Sequence, residues 1–85
     1  MLSITLRQLE YATAIAGHGG MTSAAAALNV SQPALSVALA QLEAQLGQPL
    51  FLRRNGRVTP TSFGTAWLAE AARQVQGIRR LVEGA

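Results

Sequence analysis

The sequence predicts a mainly α fold, in which three short helices, a two-stranded hairpin and a longer fourth helix follow one another in one small domain. The first observation is that apolar residues recur at helical spacing in four separate stretches. The second is the Asn55-Gly56 dipeptide between two short β-prone runs, because a type I′ hairpin turn needs a positive φ at both central residues. The third is the length of 85 residues, which suits a single domain.

Two short helices are expected first. One covers residues 5–16 and ends in the glycines that follow, and its apolar face is formed by Leu6, Leu9, Ala12, Thr13 and Ala16. The other covers residues 23–28, with Thr22 as its N-cap and Met21 packed inward just before it. It contains a run of four alanines, whose small side chains let another helix approach closely.

The third helix is expected over residues 32–46. Asn29 and Val30 form the turn before it, with Val30 as a buried plug, and Ser31 is its N-cap. Pro33 lies in its first turn, where a missing N–H is harmless. Its core stripe has spacings of four, three and four, at Leu35, Leu39, Leu42 and Leu46.

A hairpin and a long helix follow. The strands are expected over residues 50–54 and 57–59, Pro60 ends the second strand, and Thr61 caps a helix over residues 62–82. An apolar repeat of 3.5 residues along this helix predicts pairing with another helix, through Gly64, Leu68, Ala71, Val75, Ile78 and Val82. Trp67 lies one residue off this repeat and is expected in the core or in dimer packing.

The second and third helices, joined by a short turn, form a helix-turn-helix pattern. A helix fits the major groove of B-DNA, and residues near its N-terminus point at base edges. The polar residues placed to do so are Ser31, Gln32, Ser36 and Gln41, and a glutamine can bond adenine with both ends of its amide. An ordinary capped helix with a polar surface explains the same residues, so this pattern alone is weak.

The hairpin strengthens the DNA-binding interpretation. Arg53, Arg54 and Arg57 surround its tip, where a wing would lie beside the helix-turn-helix. The predicted architecture is therefore a winged helix-turn-helix, a three-helix core with a two-stranded wing, followed by a long helix. The competing explanation is a solvated hairpin whose basic residues protect a sheet edge.

Composition excludes several other classes. There are seven Arg, no Lys, four Glu and no Cys, with a net charge of +3, so disulfides and thiolate metal sites are excluded. The scattered glutamates and the single His18 form no acid–base pair or metal cluster, so we expect neither an enzyme nor a cofactor. Without a signal segment or a spanning apolar run, the chain is expected to be cytoplasmic.

The sequence resembles the N-terminal DNA-binding domain of LysR-type transcriptional regulators over nearly its whole length. Several separated segments agree with that family in order and spacing, so the joint motif is specific. The matching segments are Leu6-Arg7-Gln8-Leu9, Thr22 with Ala24-Ala25, Leu28 with Val30 to Ser36, Leu42-Glu43, Leu46-Gly47, Pro49-Leu50-Phe51 with Arg53, and Thr61 with Gly64.

The resemblance implies a bacterial regulator that binds a pseudo-palindromic operator as a dimer or tetramer. Residues 1–60 would be the DNA-binding domain and residues 61–85 a linker helix that pairs antiparallel with its mate. A C-terminal domain that binds a small-molecule effector normally follows in this family and is absent from this sequence. By resemblance, Arg53 reaches the backbone or minor groove, Thr22 reaches a phosphate, and the major groove receives Ser31, Gln32, Pro33 and Ser36.

The third helix departs from the family pattern on the turn after Ser36. Val37, Ala38 and Ala40 stand where polar or basic residues are common. Val37 either contacts a thymine methyl group or weakens DNA binding. An alternative function follows from the same residues: a dimerisation and protein-interaction module on a helix-turn-helix scaffold that no longer binds DNA.

Overall fold

A computed structural model describes residues 3–84 and confirms the mainly α architecture in the predicted order. The elements are α1 (Leu6–His18), α2 (Met21–Leu28), α3 (Gln32–Leu46), β1 (Phe51–Arg54), β2 (Arg57–Pro60) and α4 (Ser62–Glu83). The first three helices enclose one core, the antiparallel pair β1–β2 lies beside them, and α4 packs mainly against α1.

Helix α1 begins one residue later than predicted, at Leu6, and ends two residues later, at His18. Thr5 caps it reciprocally with Gln8: the Thr5 hydroxyl accepts from the Gln8 amide, and the Thr5 amide donates to the Gln8 side chain. The buried face is centred on Ala12 and Ile15, whereas Leu6 stays exposed. The predicted buried face of α1 was therefore partly wrong, because it included the exposed Leu6 and omitted the buried Ile15.

Helix α2 begins at Met21, so the prediction that Thr22 is its N-cap was wrong. Gly20 is the N-cap, and no side chain caps it. Burial of Met21 in the core draws the first turn of the helix inward, which leaves Thr22 on the outer side of that turn. The prediction for Val30 also needs correction, since this side chain packs against the core but is only half-buried.

Helix α3 has the predicted bounds and the predicted cap, with the Ser31 hydroxyl accepting from the Ala34 amide. Leu35, Leu39 and Leu42 are buried, and Leu46 at the end of the stripe is half-buried. Apolar residues on one face therefore hold the helix in the core and leave its opposite face to solvent.

The carboxylate of Glu43 connects α3 to the start of the wing. Its Oε2 atom accepts from the amides of Leu50, at 2.6 Å, and Phe51, at 3.3 Å. We expect Glu43→Ala to lower the free energy of unfolding by about 2 kcal/mol, because two partly buried N–H groups lose a charged acceptor. Chemical denaturation followed by circular dichroism measures this, and Glu43→Gln, which keeps an acceptor oxygen, should lose less. Equal losses in the two variants would contradict this role.

The hairpin has the predicted turn. Asn55 and Gly56 have φ values of 51° and 75°, which a type I′ turn requires. The strands differ by one residue from the prediction, since β1 begins at Phe51 and β2 includes Pro60. The register places Arg53 opposite Val58 and Arg54 opposite Arg57.

The first half of α4 belongs to the core of its own chain. Gly64, Leu68, Ala71 and Val75 are buried within the single chain, which leaves little of their surface for a dimer seam. The 3.5-residue repeat predicted a helical partner, and α4 packs against α1 of the same chain, with Gly64 against the Leu50 backbone. Trp67 is half-buried against the core. Only the end of the repeat, Ile78 and Val82, remains exposed.

Candidate nucleic-acid interface

The outer face of α3 carries the residues predicted to read bases. Ser31, Gln32, Pro33 and Gln41 are exposed, Val37 is 57% exposed, and Ser36 is half-buried between this face and the core. No carboxylate lies on this face among the described residues, because Glu43 is turned toward β1. The face is therefore neutral, with two glutamines and one exposed valine as its larger side chains.

A cleft of about 310 Å³ separates the first turns of α2 and α3 from the hairpin tip. The structure thus brings together groups that are distant in sequence, since Thr22 and Gln32 lie on one side and the wing lies on the other. The residues lining the cleft are Met21, Thr22, Gln32, Arg53, Arg54, Asn55, Gly56, Arg57 and Val58.

The wing is anchored where it passes the turn between α1 and α2. The Val58 amide donates to the Gly19 carbonyl at 3.3 Å, and the Val58 side chain is buried in the core. A Cβ atom on Gly20 would lie 3.8 Å from the carbonyl oxygen of Gly56, so the hairpin tip also lies close to this turn. These contacts fix the side of the cleft on which the arginines are displayed.

The charge of the cleft is positive. Arg53, Arg54 and Arg57 are exposed, and within residues 3–84 none of them forms an ion pair with a carboxylate. Arg54 and Arg57 are direct cross-strand neighbours, an arrangement that destabilises a hairpin through like-charge repulsion. Arg53 lies on the same face of the hairpin as its cross-strand partner Val58, and this face is directed toward the helices. An anion bound here would relieve this repulsion.

The start of α2 adds to this potential. Its N-cap Gly20 offers no side chain to the free N–H groups, and no acidic residue occupies the first turn. Helix N-termini carry partial positive charge and bind phosphate groups through such N–H groups. Met21 and Thr22, in the first turn of α2, line the cleft, so this end of the helix lies at its edge.

A side-chain hydrogen bond joins α2 to α3 at the cleft. The Thr22 hydroxyl donates to Oε1 of Gln32 at 3.1 Å. The two residues belong to the first turns of different helices, so sequence periodicity contains no signal for this contact. The sequence predicts a separate role toward DNA for each residue, whereas the fold couples the two side chains.

The other polar groups that the sequence singles out lie outside the cleft. Nδ1 of His18 is 2.8 Å from the Ser23 hydroxyl. Arg73, on α4, lies 3.9 Å from the Glu70 carboxylate. Among the described residues, no group of three acidic, histidine or cysteine side chains could hold a metal ion, and no helix has the length and apolarity needed to span a membrane.

Known proteins share this architecture. The family model described as bacterial regulatory helix-turn-helix protein, lysR family, matches residues 6–65, from α1 to the start of α4. The transcriptional activator LysR of Escherichia coli is 38% identical over 85 residues, which is all of this chain and 27% of that protein. The regulator CfxR of Cupriavidus necator is 37% identical over 82 residues, 96% of this chain and 26% of that protein.

Among solved structures, the DNA complex of the CbnR DNA-binding domain superposes with a TM-score of 0.87 at 36% identity, covering 94% of this chain and 92% of that one. The chain spans just over a quarter of the two curated regulators, at 27% and 26% of their lengths. The family match covers the helix-turn-helix, the wing and the start of α4 together. The chain therefore belongs to the LysR family of bacterial regulatory helix-turn-helix proteins.

Proposed function

We propose that this chain is the sequence-specific DNA-binding part of a transcription regulator. It inserts α3 into the major groove and places the arginines of the wing on the DNA backbone or in the minor groove. The observation that carries the proposal is the cleft, in which Gln32, at the start of the neutral outer face of α3, lies opposite three exposed arginines. Support comes also from the similar CbnR domain, which was crystallised with DNA.

The two sides of the cleft suit different parts of a duplex. Glutamine and serine side chains at the start of α3 can form hydrogen bonds with base edges, which is how sequence is read in the major groove. Arginines bind phosphates or narrow minor grooves, which fixes position and supplies most of the affinity. A surface that separates these two chemistries in this way binds DNA in one orientation.

We propose a homodimer held by the exposed end of α4. Ile78, Leu81 and Val82 are 37%, 80% and 78% exposed, and they form an apolar patch near the end of the helix. Leu81 lies off the 3.5-residue repeat, so the periodicity of the sequence did not reveal it. Two recognition helices joined in this way would read the two halves of a pseudo-palindromic operator.

In-vitro selection from a random duplex pool tests the proposed function. The expected product is an enriched motif with two inverted halves, because a symmetric dimer presents the same reading face twice. Enrichment of no motif, in a protein that still dimerises, would contradict the proposal and favour the interaction module that does not bind DNA.

The proposed dimer interface can be tested by substitution of Leu81. Leu81→Glu should weaken the dimer about 1000-fold, because about 2 kcal/mol of apolar burial is lost at each of the two substituted positions in the dimer. Sedimentation equilibrium without DNA measures this. Leu52→Glu is the matched control, since Leu52 is 50% exposed on the wing, away from the patch. A dimer unaffected by Leu81→Glu would contradict the proposed interface.

The proposed role of Val37 in base readout can be tested with a modified duplex. Its exposed position on α3 suits contact with the C5-methyl group of one thymine. Replacing that thymine with deoxyuridine should weaken binding about fourfold, the equivalent of one buried methyl group at roughly 0.8 kcal/mol. Val37→Ala should bind both duplexes equally. A loss that Val37→Ala spreads evenly over all sequences would count against this contact.

A further inference from the structure

The hydrogen bond between Thr22 and Gln32 determines which end of the Gln32 amide is engaged. Thr22 is the second residue of α2, Gln32 is the first of α3, and both side chains are exposed at the cleft. The hydroxyl donates to the carbonyl end of the amide, at 3.1 Å. The hydrogen bonds of the described residues include none from the amide nitrogen of Gln32, so both of its N–H donors remain available.

Electrostatics favours this orientation of the amide. The carbonyl oxygen of Gln32 carries partial negative charge, and it faces the uncapped N-terminal turn of α2, which carries partial positive charge. The opposite orientation would direct the N–H donors of Gln32 at that turn and at the wing arginines. The bond to Thr22 and the field of the helix therefore act in the same direction.

We propose that Thr22 is a positioning residue that makes Gln32 a hydrogen-bond donor toward DNA. In the major groove, guanine presents two acceptors and thymine presents one, whereas full recognition of adenine uses both ends of a glutamine amide. Gln32 held by Thr22 thus selects guanine or thymine at its base, instead of the adenine expected from glutamine alone. This inference rests on the proposed DNA-binding function and specifies how that site discriminates.

The competing role for Thr22 is direct contact with a phosphate. Such a contact positions the protein without carrying sequence information. The two roles predict different losses: a phosphate contact affects all duplexes alike, and a positioning contact changes the preference at one base pair. A comparison of base preferences therefore separates them.

The experiment uses in-vitro selection and fluorescence anisotropy with four proteins: the unmodified chain, Thr22→Val, Thr22→Ser and Gln32→Ala. Gln32→Ala identifies the dependent base pair as the one whose preference disappears. The unmodified chain and Thr22→Ser, which keeps the hydroxyl, should favour guanine or thymine over adenine there by about tenfold. Thr22→Val, which keeps the shape, should lose most of this preference and gain acceptance of adenine, with unchanged affinity for scrambled duplex.

Three results would overturn the inference while leaving the proposed function intact. They are selection of adenine at the Gln32-dependent position by the unmodified chain, an unaltered base preference in Thr22→Val, and an equal loss of affinity by Thr22→Val on every duplex. Failure of the unmodified chain to enrich any motif is a different result, since it overturns the proposed function and this inference together.

Discussion

Replacing Gly64 with alanine is expected to lower the free energy of unfolding by about 3 kcal/mol or more. A Cβ atom at this position would overlap the carbonyl oxygen of Leu50 and would lie 2.8 Å from the carbonyl carbon. The obstacle is backbone and not the end of a flexible side chain, so α4 and the start of the wing would have to separate. The same Leu50 carbonyl accepts from the Thr61 amide at 2.9 Å, so movement there also disturbs the start of α4.

The chain contains a matched control on the same helix. A Cβ atom at Gly77 would meet no atom within 4 Å beyond its chain neighbours and the backbone of its own helix, so Gly77→Ala should stabilise the fold by about 0.5–1 kcal/mol through helix propensity. Thermal and urea unfolding of the two variants should therefore change in opposite directions. Similar stability in both variants would contradict the close packing of α4 against the segment that leads into β1.

The wing gives the largest expected effect on DNA binding. Replacing Arg53, Arg54 and Arg57 together with alanine should weaken binding about 100-fold, because each arginine–phosphate interaction contributes roughly 1 kcal/mol. The slope of log affinity against log salt should become shallower by about 0.9 for each phosphate that is no longer neutralised. Anisotropy titrations at several salt concentrations measure both quantities.

A second triple variant separates position from net charge. Arg73, Arg79 and Arg80 lie on α4, outside the cleft, and their replacement by alanine removes the same charge. We expect a smaller loss of affinity from this variant than from the wing variant. Because Arg79 and Arg80 adjoin the proposed dimer patch, sedimentation equilibrium must first show that this variant is still dimeric. Equal losses in such a dimer would mean that net charge drives the binding, which would contradict a DNA-binding role for the wing. Dimerisation should persist in the wing variant, since none of its three arginines lies on α4.

The parts of the fold that depend on local chemistry were predictable from the sequence. A capping hydroxyl marks the start of α3 at Ser31 and of α4 at Thr61, because free N–H groups need an acceptor within a few residues. The turn at Asn55 and Gly56 follows from the positive φ that both positions require. In each case, the interaction that determines the structure lies within three residues of the signal.

Features that depend on tertiary packing were missed or misassigned. The start of α2 depends on burial of Met21, which overrides the capping preference of Thr22. The repeat on α4 indicates that a helix packs there, but spacing does not specify whether α1 or a second chain supplies it. Glu43 and the Thr22–Gln32 pair act through contacts between elements, and only the fold brings those elements together.

The most direct test of the central claim is an anisotropy titration of the unmodified chain against its selected duplex and a scrambled duplex of equal length. Salt would be varied from about 50 mM to about 200 mM. We expect the logarithm of the affinity to fall linearly with log salt on both duplexes, because the arginines of the cleft neutralise phosphates. We also expect a higher affinity for the selected duplex at every salt concentration, because α3 reads its bases. Equal affinity for the two duplexes, or affinity independent of salt, would contradict a DNA-reading surface formed by α3 and the wing.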